Sequence, residues 1–244
     1  MLTILFSPSE GKHSGGFSPL HRLLFDIKKR QPILDAYNKV LSCNDFTVLE
    51  KMFGLKKHDA FTRYLGNLFT SPTRKAFERY DGVAYDYLDY PSLNSEAQHF
   101  LDEHCIIFSN LYGPIKGGDL ITDYKVKQGE RIGEIAPEVF YADHFSDDLN
   151  HLLQKSDILD LRAGYYDKFY KPTQPYTTLK FIKNGKVVSH WAKAYRGIVL
   201  REIAKAGIDS LESFMQLEIE SLHIKEIKQL KQKREIVFDI KPLA

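Results

Sequence analysis

Three short apolar runs, each followed at once by polar or small residues, constrain the fold of this chain more than any other feature. They occupy residues 3–6, 105–109 and 158–162 of the 244. Runs of this length are typical of buried β-strands, and the stretches between them carry apolar residues at helical spacing. The pattern predicts an α/β fold, a mixed sheet with surrounding helices, in a single compact domain over residues 1–244.

A helical insertion is predicted at about residues 20–75, with helices over 20–42, 47–52 and 58–68. We expect Pro32 to break the first of these helices. Asn184-Gly185 between two β-rich runs predicts a hairpin, and Gly207 is expected to end a helix. Further expectations are a strand or the exit from one over residues 81–87, a basic amphipathic helix over 224–230 and a last strand over 235–240.

The charge is segregated along the chain, although the net charge is only +2. Residues 1–75 carry a net +6, residues 76–160 a net −11 and residues 162–205 a net +8. Such segregation favours a molecule with one basic face, and a basic cleft is expected. The alternative is that folding interleaves the segments and cancels the field.

Composition excludes several protein classes. Two cysteines, Cys43 and Cys105, cannot form a disulfide framework, and both are expected to be buried thiols. No compact set of His, Cys and carboxylate side chains is evident, so neither a metal nor a cofactor is predicted. No apolar run approaches the roughly 20 residues of a membrane span, and the first residues lack the basic region of a signal peptide. We therefore predict a cytoplasmic protein without a membrane partner, and a monomer.

The polar segments after the strands supply the candidate catalytic residues. Tyr112 follows the strand at 105–109, Asp123 comes soon after it, and Asp160 lies in the third apolar run. A carboxylate or phenol at the carboxyl end of a central strand is well placed for acid–base chemistry. Asp123 could equally cap a helix, and Asp160 with Arg162 could be a buried structural pair.

Basic residues in four segments are the candidate phosphate contacts. In the loop 7–12, small residues would let backbone N–H groups approach an anion, although the loop could be an ordinary turn. A helix–Gly–helix pattern around Gly54 could offer backbone N–H groups to a DNA phosphate, although such turns are common. In the basic segment 162–205, positions 193 and 196 could share a helix face, whereas positions 196 and 201 lie about 140° apart around the helix axis. The full set is Lys12, Lys56, Lys57, Arg162, Lys193, Arg196 and Arg201.

Six short segments, taken in order, resemble the YaaA family of bacterial peroxide stress proteins. The segments are LFSP followed by Lys12, YDGVAY, SNLYG, DLITDYKVKQG, ILDL and AKAYRG. They are similar to the family's ISPAK, KGDVY, SGLYG, LDLMxPYRLEMG, VINLAS and AKKARG. The resemblance runs over nearly the whole chain. It implies a single α/β fold with a positively charged cleft, a helix-hairpin-helix element at about residues 49–63 and DNA binding. It also implies protection of DNA during hydrogen peroxide stress by limiting free iron.

Two functions remain open at this point. The leading hypothesis is a DNA-binding protein of the peroxide stress response, with phosphate contacts and weak sequence preference. The rival is an enzyme acting on a nucleobase or nucleotide, by base excision or modification, because Asp, Tyr, Lys and Arg cluster after strands. An iron-sequestering protein is disfavoured because no ligand set is visible.

Overall fold

The three apolar runs form the centre of one sheet. In the computed structural model, which describes residues 1–17, 22–43 and 45–241, Leu2–Phe6 lies between Cys105–Ser109 and Asp157–Asp160. All three strands are parallel, and Ile4 is paired with Cys105 on one side and Leu159 on the other. Every residue of the two longer strands is buried, as expected for strands covered on both faces.

The described residues contain twelve strands. In chain order they are β1 Leu2–Phe6, β2 Gly11–Lys12, β3 Thr73–Lys75, β4 Tyr80–Asp81, β5 Cys105–Ser109, β6 Gly113–Lys116, β7 Leu120–Thr122, β8 Asp157–Asp160, β9 Tyr176–Lys183, β10 Lys186–Val187, β11 Leu222–Leu230 and β12 Lys233–Ile240. The main sheet runs β11-β12-β9-β8-β1-β5-β6, with β10 paired to β9. The pairs β5–β6, β9–β10 and β11–β12 are antiparallel, and the other neighbours are parallel. The remaining strands form the two small pairs β2–β4 and β3–β7.

Helices surround this sheet, which confirms the predicted fold class. The α-helices are α1 Gln31–Ser42, α2 Phe46–Phe53, α3 Ala76–Arg79, α4 Val83–Leu88, α5 Ser95–His104, α6 Pro137–Leu153, α7 Ser189–Ala206 and α8 Leu211–Gln216. Short 3₁₀ helices occur at Ile27–Arg30, His58–Tyr64, Tyr90–Ser92 and Gly164–Lys168. Across the described part of the chain, no helix is long and apolar enough to span a bilayer.

The order of the strands reverses at the centre of the sheet. From β1 the chain continues to β5 on one side, whereas from β8 it continues to β9 on the other side. The carboxyl ends of β1 and β8 therefore flank a topological switch point. In open α/β sheets this is where a crevice forms and ligands bind.

Two of the predicted elements are wrong. The stretch 81–87, expected as a strand or the exit from one, contains only the last residue of β4 and is mostly the helix α4. The stretch 224–230, expected as a helix, lies in strand β11, where a bulge falls between Ile224 and Glu226. Because of the bulge, Ile224 and Ile227 pair with Phe238 and Ile236, two residues apart, and so share one face of the sheet. Apolar residues three positions apart usually indicate a helix, but here they lie on one face of a bulged strand.

Several local predictions are confirmed. Asn184 and Gly185 both have positive φ in the hairpin turn, and Gly207 ends α7 in the left-handed conformation. Pro32, by contrast, lies in the first turn of α1, so it begins a helix rather than breaking one. The predicted helix 20–42 is thus confined to its second half, and residues 20 and 21 lie outside the described residues. Of the two cysteines, Cys105 is buried, but Cys43 is exposed, contrary to expectation.

Candidate functional site

A cavity of about 410 Å³ lies at the carboxyl ends of β1 and β8. We call it the switch-point cleft. Its walls come from the loop after β1, the start of α4, the segment after β8 and the first turns of α7. The lining residues are Phe6, Ser7, Pro8, Ser9, Glu10, Gly82, Val83, Ala84, Tyr85, Gln128, Leu161, Ala163, Tyr166, Lys193 and Arg196. Its volume is within the range of small-molecule sites.

The loop after β1 is held by contacts on both sides. The Ser7 hydroxyl accepts a hydrogen bond from the N–H of Ala163 at 2.8 Å, and the Ser7 carbonyl accepts one from the Tyr85 hydroxyl at 2.9 Å. Gly82 has φ +139°, and a Cβ there would lie 2.7 Å from the Ser9 hydroxyl. Only glycine combines this backbone conformation with such a close approach. The wall of the cleft is therefore fixed before any ligand binds.

Lys12 supports this loop from below rather than facing the cleft. Its buried ammonium donates to the carbonyl of Ser9 at 3.2 Å and to that of Glu10 at 3.5 Å. The ammonium also lies over the rings of Tyr124 and Tyr80, 4.0 and 5.2 Å from their centroids. Burial, assisted by the nearby Lys125 ammonium, lowers the pKa of Lys12 to about 7. Lys12 and Arg196 thus lie on two sides of the same loop.

Glu10 ties the loop to a distant segment. One carboxylate oxygen accepts from the Lys125 ammonium at 3.2 Å, and the other accepts from the N–H of Gln128 at 3.0 Å. Burial alone would raise the pKa of Glu10, but these two donors hold it below its ordinary value. Glu10 is the one carboxylate that lines the cleft among the described residues.

Arg196 and Lys193 are the cations of the cleft. They lie three residues apart on α7, as the sequence predicts for a shared face. Arg196 is half-buried, and no hydrogen bond or ion pair reaches its guanidinium from any described residue. Burial lowers the pKa of Arg196, and the charge of Asp160 partly opposes this shift. Lys193 is exposed. An unpaired guanidinium in a half-buried cavity is the arrangement that an anion would complete.

Arg201, in contrast, is used by the protein itself. Its guanidinium donates to the carbonyls of Leu88 at 2.8 Å and Asp89 at 3.0 Å, and to the Ser92 hydroxyl at 2.9 Å. These groups belong to the end of α4 and the turn after it. Arg201 therefore caps α4 and fixes it against α7.

Asp160 and Arg162 form a buried pair behind the cleft. The Arg162 guanidinium donates to both carboxylate oxygens of Asp160, at 2.9 and 2.7 Å. It also donates to the carbonyls of Tyr166 at 3.0 Å and Tyr170 at 2.9 Å. The Arg162 side chain is only 1% exposed. Its donors are thus taken by the fold, as in the structural alternative raised for this pair.

The other two candidate catalytic residues do not line the cleft. The hydroxyl of Tyr112 is buried and lies 2.7 Å from the hydroxyl of Thr122. Asp123 forms an ion pair with Arg63, and its second oxygen is buried without a partner among the described residues. Asp123 lies near the Lys12 ammonium, and the Tyr112 ring packs edge-on against Tyr124, over which that ammonium lies.

Lys56 and Lys57 are exposed on a hairpin next to the cleft. Helix α2 ends at Gly54 with φ +67°, as predicted, but the element after the turn is the 3₁₀ helix His58–Tyr64. The N–H of Lys127 donates to the carbonyl of Met52 at 2.8 Å, and a Cβ on Gly54 would meet the Lys127 side chain. Because Gln128 follows in the cleft wall, the hairpin and the cleft share one segment.

Sequence reasoning missed Glu10, Lys125 and Gln128 as a connected group. The contacts join residues more than 110 positions apart, so no local spacing could indicate them. Among the residues that the structure describes, no group of three or more His, Cys, Asp or Glu side chains is arranged to hold a metal ion.

Comparison with known proteins places the chain in a family. A family model described as peroxide stress protein YaaA matches residues 2–228. The chain is 39% identical to an uncharacterized protein of Campylobacter jejuni over 98% of this chain and 99% of that one. It is 32% identical to a UPF0246 protein of Corynebacterium glutamicum over 83% and 85% of the two chains. The chain therefore belongs to the YaaA family of peroxide stress proteins.

Proposed function

We propose that this peroxide stress protein binds DNA, with phosphates held by Arg196 and Lys193 in the switch-point cleft and by Lys56 and Lys57 on the adjacent hairpin. The observation that carries the proposal is the half-buried guanidinium of Arg196, which no described protein group pairs. Burial lowers the pKa of this guanidinium, and a bound phosphate would supply the charged partner that the fold does not provide.

The hairpin extends this site along the surface. Lys56 and Lys57 are exposed. Lys127, which packs on Gly54, is exposed too, but its ammonium is paired with Glu130 at 3.3 Å. A phosphate backbone lying across the hairpin and the cleft would meet the positive charges of Lys56, Lys57, Lys193 and Arg196. No base-reading motif is evident in the sequence, so we expect weak sequence preference.

The proposal is tested by measuring DNA affinity at several salt concentrations. We expect each phosphate contact to contribute about 0.9 to the slope of log affinity against log salt. The double variant Lys56→Ala, Lys57→Ala should lower the slope by about 1.8, and Arg196→Ala by about 0.9.

The matched control is Lys155→Ala, which removes one exposed charge just before β8, at the amino-terminal end of this strand and thus away from the cleft at its carboxyl end. It should leave both affinity and slope nearly unchanged. No DNA binding at low salt, or equal losses in Arg196→Ala and Lys155→Ala, would reject the proposal.

An enzyme acting on a nucleobase or nucleotide is the second candidate. It is favoured by the aromatic walls of the cleft, to which Phe6, Tyr85 and Tyr166 contribute, and by the Glu10 carboxylate beside them. Because Asp160 is buried and does not line the cleft, whereas Glu10 does, Glu10 is the better placed carboxylate for acid–base work. Release of free base from damaged DNA that is lost in Glu10→Gln, while DNA binding persists, would establish this function.

A further inference from the structure

The two edges of the main sheet differ in how they are shielded. Strand β6 forms one edge; it is only four residues long, contains Pro114 and is almost entirely buried. Strand β11 forms the other edge over nine residues, of which only Leu222 is buried. Its inner side pairs with β12, and no other described strand pairs with its outer side. An edge of this kind leaves backbone N–H and C=O groups free to pair with another strand.

Apolar side chains accompany this open edge. Ile224, Ile227 and Leu230 are 42%, 49% and 47% exposed. Ile224 and Ile227 share one face of the sheet, where they continue the buried row that contains Ile236 and Phe238. An exposed strand that is both unpaired and apolar marks a surface for the addition of a further strand.

The hairpin turn decides which backbone groups of β11 face outwards. Leu230 pairs with Lys233 across a two-residue turn, so these two residues exchange both of their hydrogen bonds. Because the bonding alternates along an antiparallel strand, Lys228 also directs its N–H and C=O groups towards β12. Ile227 and Gln229 therefore direct theirs to the open edge.

A second copy of this chain suits the edge because β11 is complementary to itself. If two β11 strands pair antiparallel about a two-fold axis through Ile227, each Ile227 lies opposite the partner's Ile227. Both residues then direct their N–H and C=O groups across the interface, as a hydrogen-bonded pair requires. On the opposite face of the sheet, Glu226 lies beside the partner's Lys228, and Lys228 lies beside the partner's Glu226.

The charges select this register. Glu226 and Lys228 reach solvent, and their charged atoms lie 3.1 Å apart within one strand, so the dimer joins two such pairs into one network. Opposite charges on facing strands stabilise a sheet, whereas like charges directly opposite destabilise it. An axis one residue earlier would set Glu226 against its own copy, and an axis one residue later would do the same to Lys228. Because the bulge before Glu226 limits the regular ladder to residues 226–228 of each strand, the interface is small and the dimer is weak.

We propose that two copies of the protein associate through antiparallel pairing of their β11 strands, which joins the two main sheets into one. The interface is isologous, because the same strand serves both copies. This dimer replaces the monomer expected from the sequence. It does not depend on the proposed function, because β12 and β9 separate β11 from the strand β8 at the cleft.

Sedimentation velocity of the full-length protein at increasing concentration tests the dimer. The unchanged protein should shift from monomer to dimer. Glu226→Lys places lysines opposite each other, and Lys228→Glu places glutamates opposite each other, so each should raise the dimer dissociation constant by about tenfold or more. The double variant Glu226→Lys, Lys228→Glu restores opposite charges about the axis at Ile227 and should dimerise like the unchanged protein.

A mixture of the two single variants gives a second test. Every lysine then faces a glutamate of the other chain, so the mixture should form a heterodimer although neither variant associates well alone. The control Lys155→Glu, at an exposed position just before β8, should dimerise like the unchanged protein. Circular dichroism spectra of all variants should match that of the unchanged protein, because the substituted side chains lie on the surface.

Three results would overturn the proposal. A protein that stays monomeric at every concentration would leave β11 to an extended segment of a different partner. A dimer that both single variants leave intact would exclude β11 as the interface. Loss of the dimer in the single variants, without recovery in the double variant or in the mixture, would reject the register about Ile227.

Discussion

Arg162 and Arg196 lie close to the same cleft and carry the same charge, yet the protein uses them differently. Arg162 is almost fully buried, and two carboxylate oxygens and two carbonyls accept its hydrogen bonds. Arg196 is half-buried, and its guanidinium has no hydrogen-bond partner among the described residues. The difference teaches that a basic residue indicates an anion site only when protein acceptors do not already take its N–H donors.

The same distinction separates Lys12 from Lys193. Lys12 has its ammonium on the carbonyls of the loop and over two tyrosine rings, so it holds the wall of the cleft. Lys193 is exposed and lines the cleft itself. The basic residues of this chain therefore divide into residues that hold the wall of the cleft and residues that line it.

The largest expected effect comes from breaking the buried pair. Arg162→Met leaves the Asp160 carboxylate buried and unpaired, so the free energy of unfolding should fall by about 3–5 kcal/mol. Arg196→Met should change it by less than about 1 kcal/mol, because Arg196 has no partner to lose. Urea unfolding of both variants measures the contrast.

If Arg162→Met does not fold, Asp160→Asn keeps the shape of the pair and removes only one charge. It should still be less stable than Arg196→Met. Equal stabilities of the Arg162 and Arg196 variants would contradict the structural role assigned to Arg162.

The next effect concerns the pH dependence of stability. Lys12 has a pKa of about 7 in the folded protein against about 10.4 when unfolded. Between these values the unfolded state binds more protons, so Lys12 makes the free energy of unfolding rise as pH increases. From pH 7 to pH 9.5, the free energy of unfolding of the unchanged protein should therefore rise by about 3 kcal/mol relative to that of Lys12→Met. The expected slope is about 1.4 kcal/mol per pH unit.

Urea unfolding at several pH values gives this difference, in which the other titrating groups cancel. The control Lys56→Met, at an exposed lysine, should run parallel to the unchanged protein. Parallel curves for Lys12→Met as well would show that Lys12 keeps its charge in the fold.

A smaller effect tests how Arg196 is positioned. A Cβ at Gly197 would overlap the Ala84 carbonyl oxygen, because α4 and α7 pack closely at this point. Gly197→Ala should cost about 1–3 kcal/mol of stability and should weaken DNA binding, since both helices carry walls of the cleft. Stability is measured by urea unfolding and affinity by titration.

Gly207→Ala is the matched control at the far end of α7. A Cβ there meets open space, but the residue has φ +60°, so we expect a cost of about 1 kcal/mol without loss of DNA affinity. If the two variants bind DNA equally well, the α4–α7 contact does not help to position the cleft for DNA binding.

The sequence predicts the central strands and the hairpin because short apolar runs and Asn-Gly act locally. It does not predict β11, because the bulge after Ile224 imitates helical spacing, nor the helix α4. For the site, it identifies Lys193 and Arg196 but cannot separate them from Arg162. That separation depends on the carbonyls and the carboxylate that the fold brings to the Arg162 guanidinium and not to that of Arg196.

The most direct measurement follows the arginine side-chain N–H signals by NMR during titration with an oligothymidine. The Arg196 Nε–H signal should shift as phosphate binds, while the Arg162 signal stays in place because its donors are already taken. Assignments come from the Arg196→Met and Arg162→Lys variants. A shift of Arg162 without a shift of Arg196, or no shift of either at saturating DNA, would contradict the assignment of the switch-point cleft as the phosphate site.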